Sequence, residues 1–226
     1  MTLAIFDLDN TLIAGDSDHQ WGEFLVGRGE VDGAGYKAAN DRFYQDYLDG
    51  TLDIFAYQEF VLSVLKGRDL DELHALRRDF MAQVIDALWL PAAEQLVDKH
   101  RRRGDTLMII TATNDFITGP IAERLGVPHL IATTAERDDR GGYTGRVAGV
   151  PSYRDGKVER LNDWLEKHGE SLDGSWFYSD SHNALPLLRK VDHPVAVDPD
   201  ETLARAARER GWPILSLRET TVGAPS

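Results

Sequence analysis

The sequence contains no cysteine, which rules out disulfides, thiolate metal sites and cysteine nucleophiles. It also lacks any run approaching the ~20 consecutive apolar residues that cross a bilayer, so no membrane partner is expected. The segment Met1-Thr2-Leu3-Ala4-Ile5-Phe6 meets Asp7 and Asp9 too soon to read as a signal peptide, and a cytoplasmic location follows as the expectation. Positive charge is scarce: 25 Lys and Arg face 38 Asp and Glu, for a formal net charge of −13. A surface of that sign repels phosphate backbones and argues against nucleic acid as a partner. A small phosphorylated ligand would be repelled too, unless a local cation offsets the field. Internal repeats and low-complexity tracts are absent.

What remains is a chain of globular type. Its 226 residues suffice for one sizeable core with or without a smaller insertion, and 42% hydrophobic with 28% charged residues is near the average for folded proteins. Oligomeric state, monomer or homodimer, is left open by composition.

Short apolar runs bounded by turn residues read as buried parallel strands: Leu3 to Leu8, Thr106 to Thr111, Leu130 to Thr133, Trp176 to Tyr178, Pro194 to Val197 and Pro213 to Leu217. Helical patterns lie between them, over Pro91 to Arg103, Phe116 to Leu125, Lys157 to His168, Ala184 to Val191 and Glu201 to Arg210. The alternation predicts an α/β fold with a parallel sheet. From about Asp16 to Trp89 the strand runs stop, and apolar residues such as Leu70, Leu73, Leu76, Phe80 and Val84 fall at helical spacing. That interval reads as a helical insertion of residues 16–89 in a core formed by 1–15 and 90–226. The stretch Ala135 to Tyr153, with Arg140-Gly141-Gly142-Tyr143 at its middle, reads as a β-hairpin flap. Glu219 to Ser226 is expected to be a loose tail.

Three of the predicted strand ends and one predicted helix start carry chemistry-bearing residues. Asp7-Leu8-Asp9-Asn10-Thr11 follows the first strand, and strand periodicity puts Asp7 and Asp9 on one side. Two facing carboxylates repel unless a cation sits near, and the carboxyl edge of a parallel sheet is where ligands bind. A plain turn with a helix cap is the simpler alternative. Thr111 ends the second strand, where its hydroxyl fits either a phosphate oxygen or an ordinary helix cap. Lys157 opens a helical pattern, an unfavourable place for a cation in the helix field, so either phosphate neutralisation or a solvated surface role is open. Asp180 closes the run Trp176-Phe177-Tyr178-Ser179, and magnesium prefers such hard oxygen ligands. His182 nearby reads as a hydrogen-bonding residue rather than a catalyst.

Taken together, these pieces resemble the haloacid dehalogenase-like phosphohydrolase superfamily. Asp7-Leu8-Asp9-Asn10-Thr11 matches its Asp-x-Asp-x-Thr first motif, Thr111 the second, Lys157 the third and Asp180 the first acid of the fourth. The likeness spans nearly the whole chain and is nearest to the phosphoserine phosphatase branch (subfamily IB), which includes histidinol-phosphate phosphatases. It implies a Rossmann-like core, a C1-type helical cap, and Mg²⁺ held by Asp7, Asp9 and Asp180. It further implies Asp7 as nucleophile, Asp9 as proton shuttle, and Thr111 and Lys157 on the transferring phosphoryl group. Thr111, Ala112, Lys157, Asp16 and Asn183 would contact the substrate. One departure stands out: the fourth motif's second acid is replaced by Ala184, which leaves room for a weakened, ligand-binding relative.

For the substrate, that branch grips the phosphoserine carboxylate with a cap arginine, yet Phe43 to Gly67 contains none. Asp16, Asp18 and Glu23 instead offer acids to an amine or serve merely as solvated or capping groups. Histidinol phosphate, with an amine and an imidazole but no carboxylate, fits this polarity better than phosphoserine.

Overall fold

Side-chain alternation along β1, Leu3–Phe6, decides how the molecule is layered. In the computed structural model, which describes residues 2–218, Ala4 and Phe6 join one apolar layer while Leu3 and Ile5 join another on the opposite face. A strand buried on both sides belongs in the middle of a parallel sheet. The other strands are β2 (Thr106–Asn114), β3 (His129–Arg137), β4 (Tyr143–Ala148), β5 (Trp176–Ser179), β6 (His193–Val197) and β7 (Ile214–Leu215). Their order is β4-β3-β2-β1-β5-β6-β7, parallel except for β4, which runs antiparallel to β3. Strand order reverses at β1, with β2 on one flank and β5 on the other. This creates the crevice at the strands' carboxyl ends where open α/β sheets take ligands.

Between β1 and β2 the chain forms α1 (Ser17–Arg28), α2 (Gly33–Leu48), α3 (Ile54–Ser63), α4 (Leu70–Phe80), a π-helical turn (Met81–Ile85), α5 (Asp86–Leu88) and α6 (Pro91–Arg102). An isolated antiparallel bridge, Ile13 to Trp89, closes the base of the helical segment. Trp21 on α1 is fully buried against Phe24, against Phe80 of α4 and against Phe116, with centroid distances of 5.7, 5.1 and 5.8 Å. Phe116 belongs to α7 (Asp115–Arg124), so this aromatic cluster docks the inserted helices onto the core. Burial of one such ring is worth about 3 kcal/mol. The remaining helices are α8 (Asp155–His168), α9 (Leu185–Leu188) and α10 (Glu201–Arg210).

Several boundaries differ from the sequence-based expectation. The apolar run Leu3 to Leu8 is strand only to Phe6, because the Leu8 carbonyl accepts from the amides of Thr11, Leu12 and Ile13 and turns the chain. β2 continues past Thr111 to Asn114. β3 continues past Thr133 to Arg137, so the flap's first arm is the end of a main strand. Its turn is closed by Asp138 Oδ1, which accepts from the amides of Arg140 and Gly142, and by Gly141 at φ 82°. The helix expected over Ala184 to Val191 is a 3-10 turn, His182–Ala184, followed by the short α9 with a proline in its first turn. Pro213 to Leu217 contributes only two strand residues. The tail Glu219 to Ser226 lies outside the described residues. Among those described, no helix is long and apolar enough to cross a membrane.

Beneath the sheet a polar chain runs through the apolar layer. His100, 1% exposed, places Nδ1 2.7 Å from Asp105 Oδ2 and Nε2 2.8 Å from the Tyr178 hydroxyl, with Phe6 edge-on at 5.6 Å. Burial pushes the imidazole below its usual value of 6.5, and Asp105 only partly opposes this. The unfolded chain therefore takes up a proton near pH 6.5 that the folded chain resists until lower pH. Stability from this group is complete above that value and declines as pH falls below it. Comparing the wild type with His100→Gln by urea unfolding should show the wild-type advantage shrinking between pH 7.5 and 5. A pH-independent difference would contradict the assignment. His100→Ala should cost about 2–4 kcal/mol, since it strands the buried Tyr178 hydroxyl and opens a cavity.

Candidate active site

The backbone brings the four sequence segments to one edge of the sheet. Asp7 follows β1 directly, and its amide still bonds the Tyr178 carbonyl of β5 at 2.8 Å. Asp7 Oδ1 accepts from the Leu8 amide at 3.0 Å, while Oδ2 accepts from Lys157 Nζ and Ser179 Oγ, each at 2.8 Å. Asp7 and Lys157 are both buried, 5% exposed. Two charges withdrawn from water persist only with close pairing and added hydrogen bonds, and the second lysine contact, to the Ile110 carbonyl at 3.4 Å, adds to that set.

Asp9 arrives by a different route from the one expected. Strand alternation cannot aim it, since β1 has ended. The tight turn does, with Asn10 in the left-handed region at φ 55°. Ser17 then holds Asp9 Oδ1 through its amide at 2.7 Å and its hydroxyl at 2.5 Å. Thr113 and Thr111 donate to Oδ2 at 2.8 and 3.3 Å. Burial raises the Asp9 carboxyl above its ordinary value, the hydrogen bonds from Ser17 and Thr113 pull the other way, and the charge of Asp7 adds to the rise.

Thr11 couples the first segment to the fourth. Its hydroxyl donates to Asp180 Oδ1 at 2.9 Å and accepts from the Asp180 amide at 3.1 Å. Asp180 sits just past β5, and burial followed by the nearby Asp7 charge lifts its carboxyl well above the usual range.

Lys157 is the third residue of α8 rather than its first. The chain enters that helix through Arg154 at φ 49°, a strained conformation for a residue with a side chain. The Arg154 guanidinium is tied down on both sides, by Asn183 Oδ1 at 2.9 Å and by the Gly50 carbonyl. Gly156 is required by close approach, because a Cβ there would run into the Pro151 carbonyl.

Asp7, Asp9, Asp16, Thr111, Ala112 and Lys157 line one cavity beneath the inserted helices, together with Asp18 and Thr113. Asp16 caps α1, accepting from the His19 amide at 2.8 Å, and burial with the Asp9 charge raises it to about 7. Asn183 was expected at the substrate but lies outside this lining. Its Oδ1 is taken by Tyr153 and Arg154, and its Nδ2 donates to the Tyr47 carbonyl at 3.2 Å, so it joins core to insertion. His182 does hydrogen-bond, to Asp200 at 2.8 Å. Ala184 is buried within the apolar layer that contains Ile5, Ile110 and Leu161.

Sequence reasoning passed over Ser17, Thr113, Ser179 and Gln58. Thr113 lies two residues from Thr111 on the same strand and so faces the same way, a signal the alternation rule contains. Ser179 immediately precedes Asp180. Ser17 and Gln58 carry no local signature.

The sequence profile of haloacid dehalogenase-like hydrolases matches residues 4–189. The chain belongs to that family. Among curated relatives, this hydrolase is 46% identical over 219 residues to a histidinol-phosphatase of Neisseria meningitidis, covering 96% of this chain and 99% of that one. It is 33% identical to phosphoserine phosphatase SerB1 of Mycobacterium tuberculosis, over 99% of this chain and 74% of the relative. Among solved structures, a Bordetella pertussis protein of unknown function superposes with a TM-score of 0.90 at 43% identity, covering 96% of this chain and all of that one. A phosphoserine phosphatase in a phospho-aspartyl intermediate analogue state shares the fold, with a TM-score of 0.69 at 19% identity over 96% and 94% of the two chains.

The acidic edge of the hydrolase carries a stability cost that a single substitution exposes. Asp180→Asn removes one desolvated carboxylate from beside Asp7 while keeping an oxygen for Thr11. In cation-free buffer it should raise Tm by about 3 °C, which calorimetry would detect. A fall in Tm would contradict this reading of the electrostatics.

Proposed function

We propose that this haloacid dehalogenase-like phosphatase hydrolyses a small phosphate monoester through a phosphorylated Asp7, with Mg²⁺ as cofactor and histidinol phosphate as substrate. The observation that carries the proposal is the convergence of Asp7, Asp9 and Lys157 in one cavity, with Asp180 bonded to Thr11 and near enough to Asp7 for their charges to interact. We assign residues 1–15 and 90–226 to the catalytic core and 16–89 to a cap over it, and we place the protein in the cytoplasm.

The donor set fits magnesium. Asp7 and Asp180 would bring carboxylate oxygens and Asp9 its carbonyl, and burial together with the Asp7 charge disfavours ionisation of Asp180 without a nearby cation. When bound, Mg²⁺ would screen the repulsion between Asp7 and the incoming phosphate. The chain's own groups perform the transfers. An Asp7 carboxylate oxygen bonds to phosphorus as the ester oxygen leaves, and Asp9, acting as general acid, gives a proton to the leaving alcohol. Water then attacks the acyl phosphate, Asp9 takes its proton, and Asp7 is released with inorganic phosphate. Lys157 steers Asp7 and neutralises the phosphoryl oxygens, while Ser17, Thr111 and Thr113 keep Asp9 aimed into the cavity. Asp16 is the acceptor for a substrate amine.

The relative named histidinol-phosphatase and the absence of arginine among the described residues of the cavity lining both favour histidinol phosphate over phosphoserine. Phosphate release from a panel of esters with Mg²⁺ should give a kcat/KM at least about tenfold higher for histidinol phosphate, or ~1.4 kcal/mol in the barrier. A preference for phosphoserine would reverse the ranking.

Asp7→Asn should lower kcat by about 10³-fold or more while circular dichroism shows an intact fold, and chelation of Mg²⁺ should be equally severe. Substantial turnover by the variant would remove Asp7 from its role. Ala184 favours one second reading, a ligand-binding relative with weakened catalysis. If the wild type releases no phosphate and Ala184→Asp does, that reading replaces the first.

A further inference from the structure

Gln58 lies on α3 and is completely buried. Its amide nitrogen donates to Asp18 Oδ2 at 3.1 Å and to the Ala112 carbonyl at 3.3 Å, so one side chain ties the inserted helices to the strand that carries Thr111. Both partners are acceptors, which fixes the amide's orientation: the nitrogen faces them and the oxygen faces away. Gln58 lines the cavity, and its Oε1 receives no hydrogen bond from the protein. A buried oxygen of this kind is costly until a donor reaches it. The cavity is the place from which a ligand's N–H would come.

The surrounding wall narrows the ligand further. Phe43, Tyr44, Tyr47, Leu52, Ile54 and Tyr57 border the same space. Among the described lining residues the one lysine, Lys157, is paired with Asp7, and no arginine is present. A substrate carboxylate would meet Asp16, Asp18 and an unpaired acceptor, all of which repel it. Aromatic walls beside a buried, unpaired amide oxygen suit a flat ring that carries an N–H. Asp18 is itself immobilised by Gln58 and by Asn114 at 3.2 Å, which holds the Gln58 amide in place.

Resting on the phosphatase reading above, we infer that Gln58 is a specificity-determining residue whose Oε1 accepts a hydrogen bond from the ring N–H of a heteroaromatic substrate, the imidazole in the case of histidinol phosphate. Asp16 takes the amine, and Gln58 distinguishes imidazole from a ring without a donor.

The test compares histidinol phosphate with phenylalaninol phosphate, which keeps the amine and replaces imidazole by phenyl. Wild type should favour the imidazole ester at least about tenfold in kcat/KM, and Gln58→Met should reduce that preference to about threefold or less, mainly through KM. A wild type that treats both esters alike overturns the inference, and this arm needs no variant that folds. An unchanged preference in Gln58→Met overturns it too. Calorimetric binding of histidinol, the dephosphorylated alcohol, provides a readout free of turnover: the variant should bind about tenfold more weakly. Equal binding by wild type and variant, or no binding to either, counts against Gln58 whatever the catalytic outcome. Histidinol binding that depends on Gln58, in a protein that releases no phosphate, keeps the Gln58 assignment and overturns the hydrolase reading instead.

Discussion

Crowding of carboxyl groups at one sheet edge is the constraint around which the rest of the structure is arranged. Asp7, Asp9, Asp16 and Asp18 line a cavity in which Lys157 provides the matching positive charge, and Asp180 stands beside Asp7. Burial disfavours ionised Asp9, Asp16, Asp18 and Asp180, and neighbouring acids add to the effect. Opposing this is a shell of short donors: Ser17, Thr111 and Thr113 on Asp9, Ser179 and Lys157 on Asp7, Thr11 on Asp180. These donors come from the turn after β1, from β2 and β5, and from α1 and α8, so the arrangement exists only when the sheet and the inserted helices are both in place.

The same constraint accounts for the local strain. Asn10 and Arg154 adopt φ of 55° and 49°, one in the turn that redirects Asp9 and the other at the mouth of the helix that presents Lys157. Each is held by tertiary contacts: the Asn10 amide bonds the Gly15 carbonyl, and Arg154 is anchored to Asn183 and Gly50. Conformations of this kind cost about 1–3 kcal/mol and persist where surrounding contacts determine them. Ala184 belongs to the same economy. It fills an apolar layer next to the strands, and Lys157 bonds Asp7 directly, with no carboxylate at position 184 to share.

Much of this was legible in the sequence. Strand positions followed from continuous apolar runs, because strands buried on both faces cannot alternate with polar residues. Asp7 and Lys157, which are 2.8 Å apart, came from strand-end logic and motif resemblance respectively. What escaped was decided by geometry that no local pattern encodes. The turn after Phe6 starts inside an apolar run, and only the backbone shows that the Leu8 carbonyl closes it. Asn183 sits in the right loop for a substrate contact, yet Tyr47, Tyr153 and Arg154 claim its side chain from three separate elements. Gln58 is a polar residue on a largely apolar α3, and its meaning depends on Asp18 and Ala112, which lie 40 and 54 positions away.

Hydrolysis by the proposed route requires Asp7 to carry the phosphoryl group in passing. Acid-quenched turnover of histidinol phosphate with Mg²⁺, followed by peptide mass spectrometry, tests it directly. A single phosphoryl group on the peptide that contains Asp7, absent when Asp7 is asparagine, is the predicted result. Rapid phosphate release with no labelled Asp7 peptide at any quench time would contradict it.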